Sequence, residues 1–306
     1  MSTTSGAIRG RTHINNGPVH GLSFAGTVGA ELQKVLRQRA TWVLFVLGVA
    51  GYVGTMLLLT LATRLPTLMG HEPARTLGVI QNVVYLVFTV GSGIFLLLAS
   101  ARLVGMEYSQ GTMRILLGRG TGRLSLLVAK LIALLTLGAA LLAGCAVVST
   151  IWVALAVRRW TGSFSALTQG GSSTVHNLAL GLLLALLSVF CAIVIGTTAA
   201  TIGRSVAFGV GAAMGLFPAD NFGTLILTLV GQATHQKFWL DVTSYLFGPN
   251  LNALPGLVLT SIPKTVVLPV PAVTVSLAHT LLVVGVWAAG LLVLELVLTW
   301  RRDVLA

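Results

Sequence analysis

Six apolar runs divide the chain: Thr41–Ala62, Val83–Ala101, Leu126–Val157, Leu178–Ile202, Val206–Val230 and Val273–Trp300. Each reaches or nears the roughly 20 residues that an α-helix needs to cross a bilayer. The third is long. At about 1.5 Å per residue it extends roughly 48 Å, so it must tilt or project beyond the hydrocarbon, with Lys130 snorkelling at its inner end. Before the first run, Leu22, Phe24, Val28, Leu32, Val35 and Leu36 alternate with Glu31, Lys34, Arg37 and Arg39. That pattern predicts an amphipathic helix lying in the interface. Residues 1–21 are polar and rich in Gly, Ser, Thr and Asn, which predicts a mobile tail. Residues 22–306 then form a single transmembrane domain, and the fold class expected is an all-α polytopic membrane protein of six spans.

The polar segments between the runs differ in kind. Leu65 to Asn82 is short, and Arg158 to Asn177 is rich in Gly, Ser and Thr. Gly231 to Ala272 is broken by prolines from Pro249 to Pro271 and half apolar, as in LFGPNLNALPGLVL. Pro-broken runs of that kind are too short to span, which predicts a re-entrant or interfacial pair of short helices. Val104 to Lys130 is the most basic connection, with Glu107, Arg114, Arg119, Arg123 and Lys130. The charges keep it at or under the headgroups. A helix starting at Met106 would place Glu107 and Arg114 two turns apart on one stripe. Gly118, Gly120 and Gly122 would then end it.

Composition narrows the class. Of 306 residues, 55% are hydrophobic and 8% charged, and mean hydropathy is +0.93. A soluble domain carries about 25% charged residues. The net charge of +12 does not imply nucleic acid, because no basic patch interleaved with aromatics accompanies it. With the N-terminus inside, thirteen of the nineteen Lys and Arg fall inside, against Arg64, Arg75, Arg158, Arg159, Lys237 and Lys264 outside. That bias predicts both termini in the cytoplasm. The first apolar run is too long and too far from Met1 for a signal-peptide core, so no cleavable signal is expected. Cys145 and Cys191 fall inside apolar runs and are expected to be free and buried.

Chemical motifs are sparse. Gly118-Arg-Gly120-Thr-Gly122-Arg lacks the GK[ST] ending of a phosphate loop, and no HExxH, GxSxG or carboxylate pair is present. The six His are scattered, so no metal site is expected. Three acidic or basic groups fall in or near the spans. Lys130 and Glu295 read as an ion pair or separate interface anchors, with a gate or force-transmitting contact as the functional alternative. Asp220, between Pro218 and Asn221, is about 21 Å into the fifth run. Three readings stand for it: structural pairing, a place on a translocation path with Asn221, or a surface position if the helix ends at Pro218.

The stretch Glu107-x-x-x-Gly111-Thr112-x-Arg114-x-Leu116-Leu117, followed by Arg119, Arg123 and Lys130, resembles the signature of ABC type-2 transporter permeases. These are the membrane subunits of type V ABC exporters. Many members have Pro where this chain has Gly120, which alters turn stiffness. Glu31-x-x-Lys34-x-x-Arg37-x-Arg39-x-x-Trp42 resembles the family's elbow helix, and Tyr245-Leu246-Phe247-Gly248-Pro249-Asn250 with Ala253-Leu254 resembles its outer segment. The resemblance covers roughly residues 22–306. It implies a cytoplasmic coupling helix docking on an ATPase through Glu107, Gly111, Thr112, Arg114, Arg119 and Arg123. It further implies a plasma-membrane complex of two ATPase subunits with a second permease copy or a sister permease, surrounded by lipid. ATP and Mg would belong to the ATPase, and the chain itself would need no cofactor. Substrates in the family include drugs, antimicrobial peptides, lipids and polysaccharides. Two rival classes are a membrane enzyme acting on lipid-linked substrates and a non-transporting anchor or sensor.

Overall fold

The computed structural model describes residues 23–111, 122–164, 167, 171–259 and 268–301. Ten α-helices lie among them: α1 (Phe24–Arg37), α2 (Arg39–Leu61), α3 (Arg64–His71), α4 (Pro73–Ser109), α5 (Arg123–Thr161), α6 (Gly171–Gly203), α7 (Val206–Thr234), α8 (Lys237–Val242), α9 (Phe247–Val258) and α10 (Leu277–Arg301). A 3-10 turn, Thr243–Tyr245, joins α8 to α9. Six helices, α2, α4, α5, α6, α7 and α10, are long and apolar enough to cross a membrane. The chain is an all-α multi-pass membrane protein.

The helices outrun the apolar runs. The second run lies inside a helix of 37 residues and the third inside one of 39. The stretch from Leu65 to Asn82, expected as a loop, is helix α3 and the first turns of α4. Hydropathy sets which residues meet lipid, whereas local capping sets where a helix stops. Pro73 occupies the first turn of α4, where its missing N–H removes an unpaired donor. Gly111 ends the same helix in the left-handed region (φ 65°), its N–H reaching the Tyr108 carbonyl at 3.3 Å. Met106 therefore belongs to the last turns of α4 and does not start a separate helix. Residues 112–121, with Thr112, Arg114 and Arg119, lie outside the described residues, as do 1–22.

Helices α4 and α6 form the central pair, with the most extensive contact in the fold. Gly196 allows their approach, because a Cβ there would run into Ser100 Oγ and stand 2.5 Å from the Leu97 carbonyl. In hydrocarbon, small residues let backbones pack closely where no hydrophobic force drives association. On one side the pair builds a core with α2 and α5 from Tyr52, Met56, Phe88, Phe95, Leu96, Leu134 and Val189. On the other, Leu97, Cys191 and Ile195 pack with Phe247, Leu251 and Leu254 of α9 and Val284 and Ala288 of α10. Cys191 is buried and Cys145 half-buried, and both are free. The apolar side chains of α2 and α7 are mostly exposed, as lipid-facing surfaces are. Within the spans, hydroxyls such as Thr55, Thr60, Thr136 and Thr150 donate to the carbonyl four residues back, which satisfies them without an outside partner.

Candidate functional site

Helix α1 starts where the Ser23 hydroxyl accepts the Gly26 N–H at 3.1 Å. It turns its buried side toward α5 with Val35 and, unusually, Glu31, which is 1% exposed. A buried carboxylate needs a counter-charge. Lys130 of α5, also 1% exposed, supplies it at 2.8 Å from Glu31 Oε2. The same ammonium lies 2.7 Å from Glu107 Oε1 on the last turns of α4. Lys34, one turn along α1 from Glu31, completes the group at 2.5 Å from Glu31 and 3.0 Å from Glu107. Two carboxylates and two ammoniums thus neutralise one another where three helices meet. Burial acts to lower the Lys34 pKa, but Glu31 and Glu107 outweigh it, and the net shift is upward from 10.5.

Residues 112–121 connect this cluster's α4 side to its α5 side. Lys130 does not snorkel, because two carboxylates inside the bundle hold it better than distant headgroups would. It does not pair with Glu295 either. Glu107, expected on a docking surface, is 6% exposed and turned toward the Lys residues. Gly111 is exposed, as are Arg37 and Arg39. Arg123, at the start of α5, donates from Nη1 to the Trp300 carbonyl at 3.1 Å, tying α5 to the end of α10. Tyr108, Arg123, Lys130, Thr201 and Thr299 line a small cavity between these helices.

Glu295 of α10 is fully buried against α6, where Thr197 Oγ1 stands 2.9 Å and Thr198 Oγ1 3.4 Å from its Oε2. The sequence reading missed both threonines. A Thr pair in an otherwise apolar run was the available signal.

Asp220 lies at the opposite end. Pro218 does not terminate α7, which continues to Thr234. Asp220 Oδ2 accepts the Gly248 N–H at the start of α9, a place where negative charge complements the exposed amides. Its neighbour Asn221 accepts from Asn252 Nδ2 at 2.9 Å, and Asn252 Nδ2 also lies 2.9 Å from the Pro269 carbonyl. Asp220 and Asn221, for which structural pairing and a place on a translocation path were both open, thus fasten α9 to α7. Around them, Asn250 donates to the Ser244 and Leu246 carbonyls, and Trp287 to that of Tyr245. Gly248 was noted only within the outer-segment resemblance, and Asn252 was not singled out from sequence. A backbone N–H carries no sequence signal.

The model of the ABC-2 family transporter proteins matches residues 27–219. The chain belongs to the ABC-2 transporter family. The matched segment contains α1, α4, α5 and α6 almost whole, hence the entire ion cluster. As an ABC-2 permease it is a membrane transport subunit, not itself catalytic, of a kind that works with ABC ATPases. No curated protein and no solved structure matches it. Among the described residues of the permease, no group of three or more His, Cys, Asp or Glu could hold a metal ion.

Proposed function

We propose that the permease is half of an ATP-driven exporter of a hydrophobic or amphipathic substrate at the plasma membrane, with both termini cytoplasmic. Two ATPase subunits, carrying ATP and Mg, dock on residues 112–121 of two permease copies or of the permease and a sister chain. Gly111, Thr112, Arg114, Arg119 and Arg123 form or flank the docking segment. The observation that carries this reading is the buried Glu31–Lys34–Glu107–Lys130 cluster at its root.

A connection that only linked two spans would need no rigid anchor. Here both of its ends are fixed to each other and to α1. Buried ion pairs are poor sources of net stability but define register strongly, because any slip strands a charge. A push on residues 112–121 would therefore move α1, α4 and α5 together. On this reading Glu107 transmits force and does not itself meet the ATPase. The half-apolar outer segment, as in LFGPNLNALPGLVL, supports a hydrophobic or amphipathic substrate class.

The test is reconstitution with the partner ATPase. Glu107→Lys replaces an attractive centre with repulsion from Lys34 and Lys130. ATP hydrolysis should lose its dependence on transport, or the ATPase should no longer co-purify. Coupled transport at the wild-type rate in that variant would refute the relay.

A further inference from the structure

Glu295 is the one buried carboxylate of the described spans whose partners are all neutral. Glu31 and Glu107 each meet an ammonium, and Asp220 is half-exposed. Glu295 is 0% exposed, forms no ion pair, and its Oε1 is buried with no hydrogen-bond partner. Three helices make the main contacts with α10, and α4 reaches it through Leu97; at this end α4 carries Arg102, Glu107, which is turned to Lys34 and Lys130, and Tyr108, which lines the cavity with Thr299. Helix α9 carries no ionisable side chain. Helix α6 carries His176, toward its start, and Cys191, in the core with Val284 and Ala288. Helix α5 carries Lys130 and Arg123 at this end, but Lys130 is held by Glu31 and Glu107, and Arg123 bonds the Trp300 carbonyl. On α10 itself the other ionisable groups, His279 and Arg301, lie near its ends.

The hydroxyl geometry leaves room for a proton on Glu295 Oε2. Thr197 Oγ1 has one hydrogen and three neighbours: the Ile193 carbonyl at 3.0 Å, the Val194 carbonyl at 3.2 Å and Glu295 Oε2 at 2.9 Å. Elsewhere in these spans such a hydroxyl gives its hydrogen to the carbonyl four residues back. If Thr197 does the same, its lone pair faces Oε2, and the hydrogen between them must come from Glu295. A neutral acid fits that arrangement. It also leaves Oε1 as an unpaired carbonyl oxygen, far less costly than an unpaired charge. Ionised, Glu295 would sit in the bundle with only hydroxyl donors on one oxygen. One turn along, Thr201 (four residues after Thr197) and Thr299 (four after Glu295) both line the small cavity described above.

We propose that Glu295 is a proton-binding site, carrying its proton on Oε2 against Thr197 and exchanging it with water through the cavity reached by Thr201 and Thr299 when α10 moves from α6. The proton acts as a latch. Bound, it leaves α6 and α10 in neutral contact. Released, it leaves a buried charge whose need for water favours separation of the two helices. The site does not depend on any partner ATPase.

The test uses the full chain alone in lipid nanodiscs at neutral pH. Infrared spectroscopy should show the C=O stretch of a protonated carboxylic acid, lost in Glu295→Gln. Thr197→Val should keep the band but shift its frequency, because the hydrogen bond is gone, and this variant decides the matter should Glu295→Gln not fold. A glutamate in an unfolded chain is ionised at neutral pH, so the folded state binds one extra proton. Thermal stability should therefore fall as pH rises, and Glu295→Gln should flatten that dependence. Absence of the band from wild type, its persistence in Glu295→Gln, or stabilisation of wild type by sodium in place of protons would overturn the proposal.

Discussion

Lys130→Met is the sharpest perturbation of the ion cluster. Methionine nearly preserves the length of the side chain and removes its charge, leaving Glu31 and Glu107 facing each other with only Lys34 between them. Lys34 is 37% exposed at its side chain, so water screens what it can offer. At 2.7 and 2.8 Å, and with an effective dielectric of about 20, each Lys130 contact amounts to about 6 kcal/mol of Coulomb attraction before desolvation is subtracted. The net loss on removing one partner of a buried pair is about 3–5 kcal/mol. Lys34→Met should cost less, because Lys34 is part-exposed, water screens its charge, and Lys130 still faces both carboxylates. Thermal unfolding in nanodiscs, with the variants side by side, should rank Lys130→Met far below Lys34→Met. Adding Glu31→Gln to Lys130→Met should restore part of the loss, since the stranded charge is then gone. Equal stability of Lys130→Met and Lys34→Met, or a further drop on adding Glu31→Gln, would refute the argument that burial makes Lys130 the centre of the cluster.

Gly196→Val should force α4 and α6 apart at their closest approach and abolish accumulation of folded protein in the membrane, whereas Gly29→Val on α1, where a Cβ meets open space, should leave it intact. Asp220→Ala should uncap α9 at a cost of about 1 kcal/mol, and Asp220→Asn, which keeps an acceptor, at less; faster proteolysis near α9 in the alanine variant alone is the readout. For topology, Tyr245→Cys in a background lacking Cys145 and Cys191 is a better probe than Thr243, because Tyr245 is 62% exposed and Thr243 fully buried. Labelling of Tyr245→Cys by an impermeant reagent in intact cells is expected, and labelling only after permeabilisation would reverse the assigned orientation.

The six spans were legible because lipid imposes one requirement, a long apolar helix, that composition records directly. Their ends were not, because Pro73, Gly111 and Ser205 act through local hydrogen bonding that hydropathy does not register. Charged residues near the spans were individually conspicuous, yet their pairing was not legible. Lys130 was set against Glu295 because both lie near the same end, while its true partners are 99 and 23 residues away in sequence. Only packing brings them together. A stricter accounting would have helped: a buried lysine requires an acid, and Glu31 and Glu107 were already conspicuous beside the same apolar runs. For Asp220, structural pairing was among the readings, but its partner was not legible: it is a main-chain amide, that of Gly248, which every residue but proline possesses.

The ion cluster also bears on how the chain is made. Glu31 leaves the ribosome long before Lys130, and Glu107 comes between them. Until the third span is synthesised, a growing chain holds two acids and one of the two bases that will face them, so α1 has nothing to anchor it inside the bundle and must wait at the membrane surface. Arrival of Lys130 closes the charge count and draws α1 into place. A product that stalls or is cut before that point keeps two acids with one base between them, an unbalanced centre that the finished permease does not have.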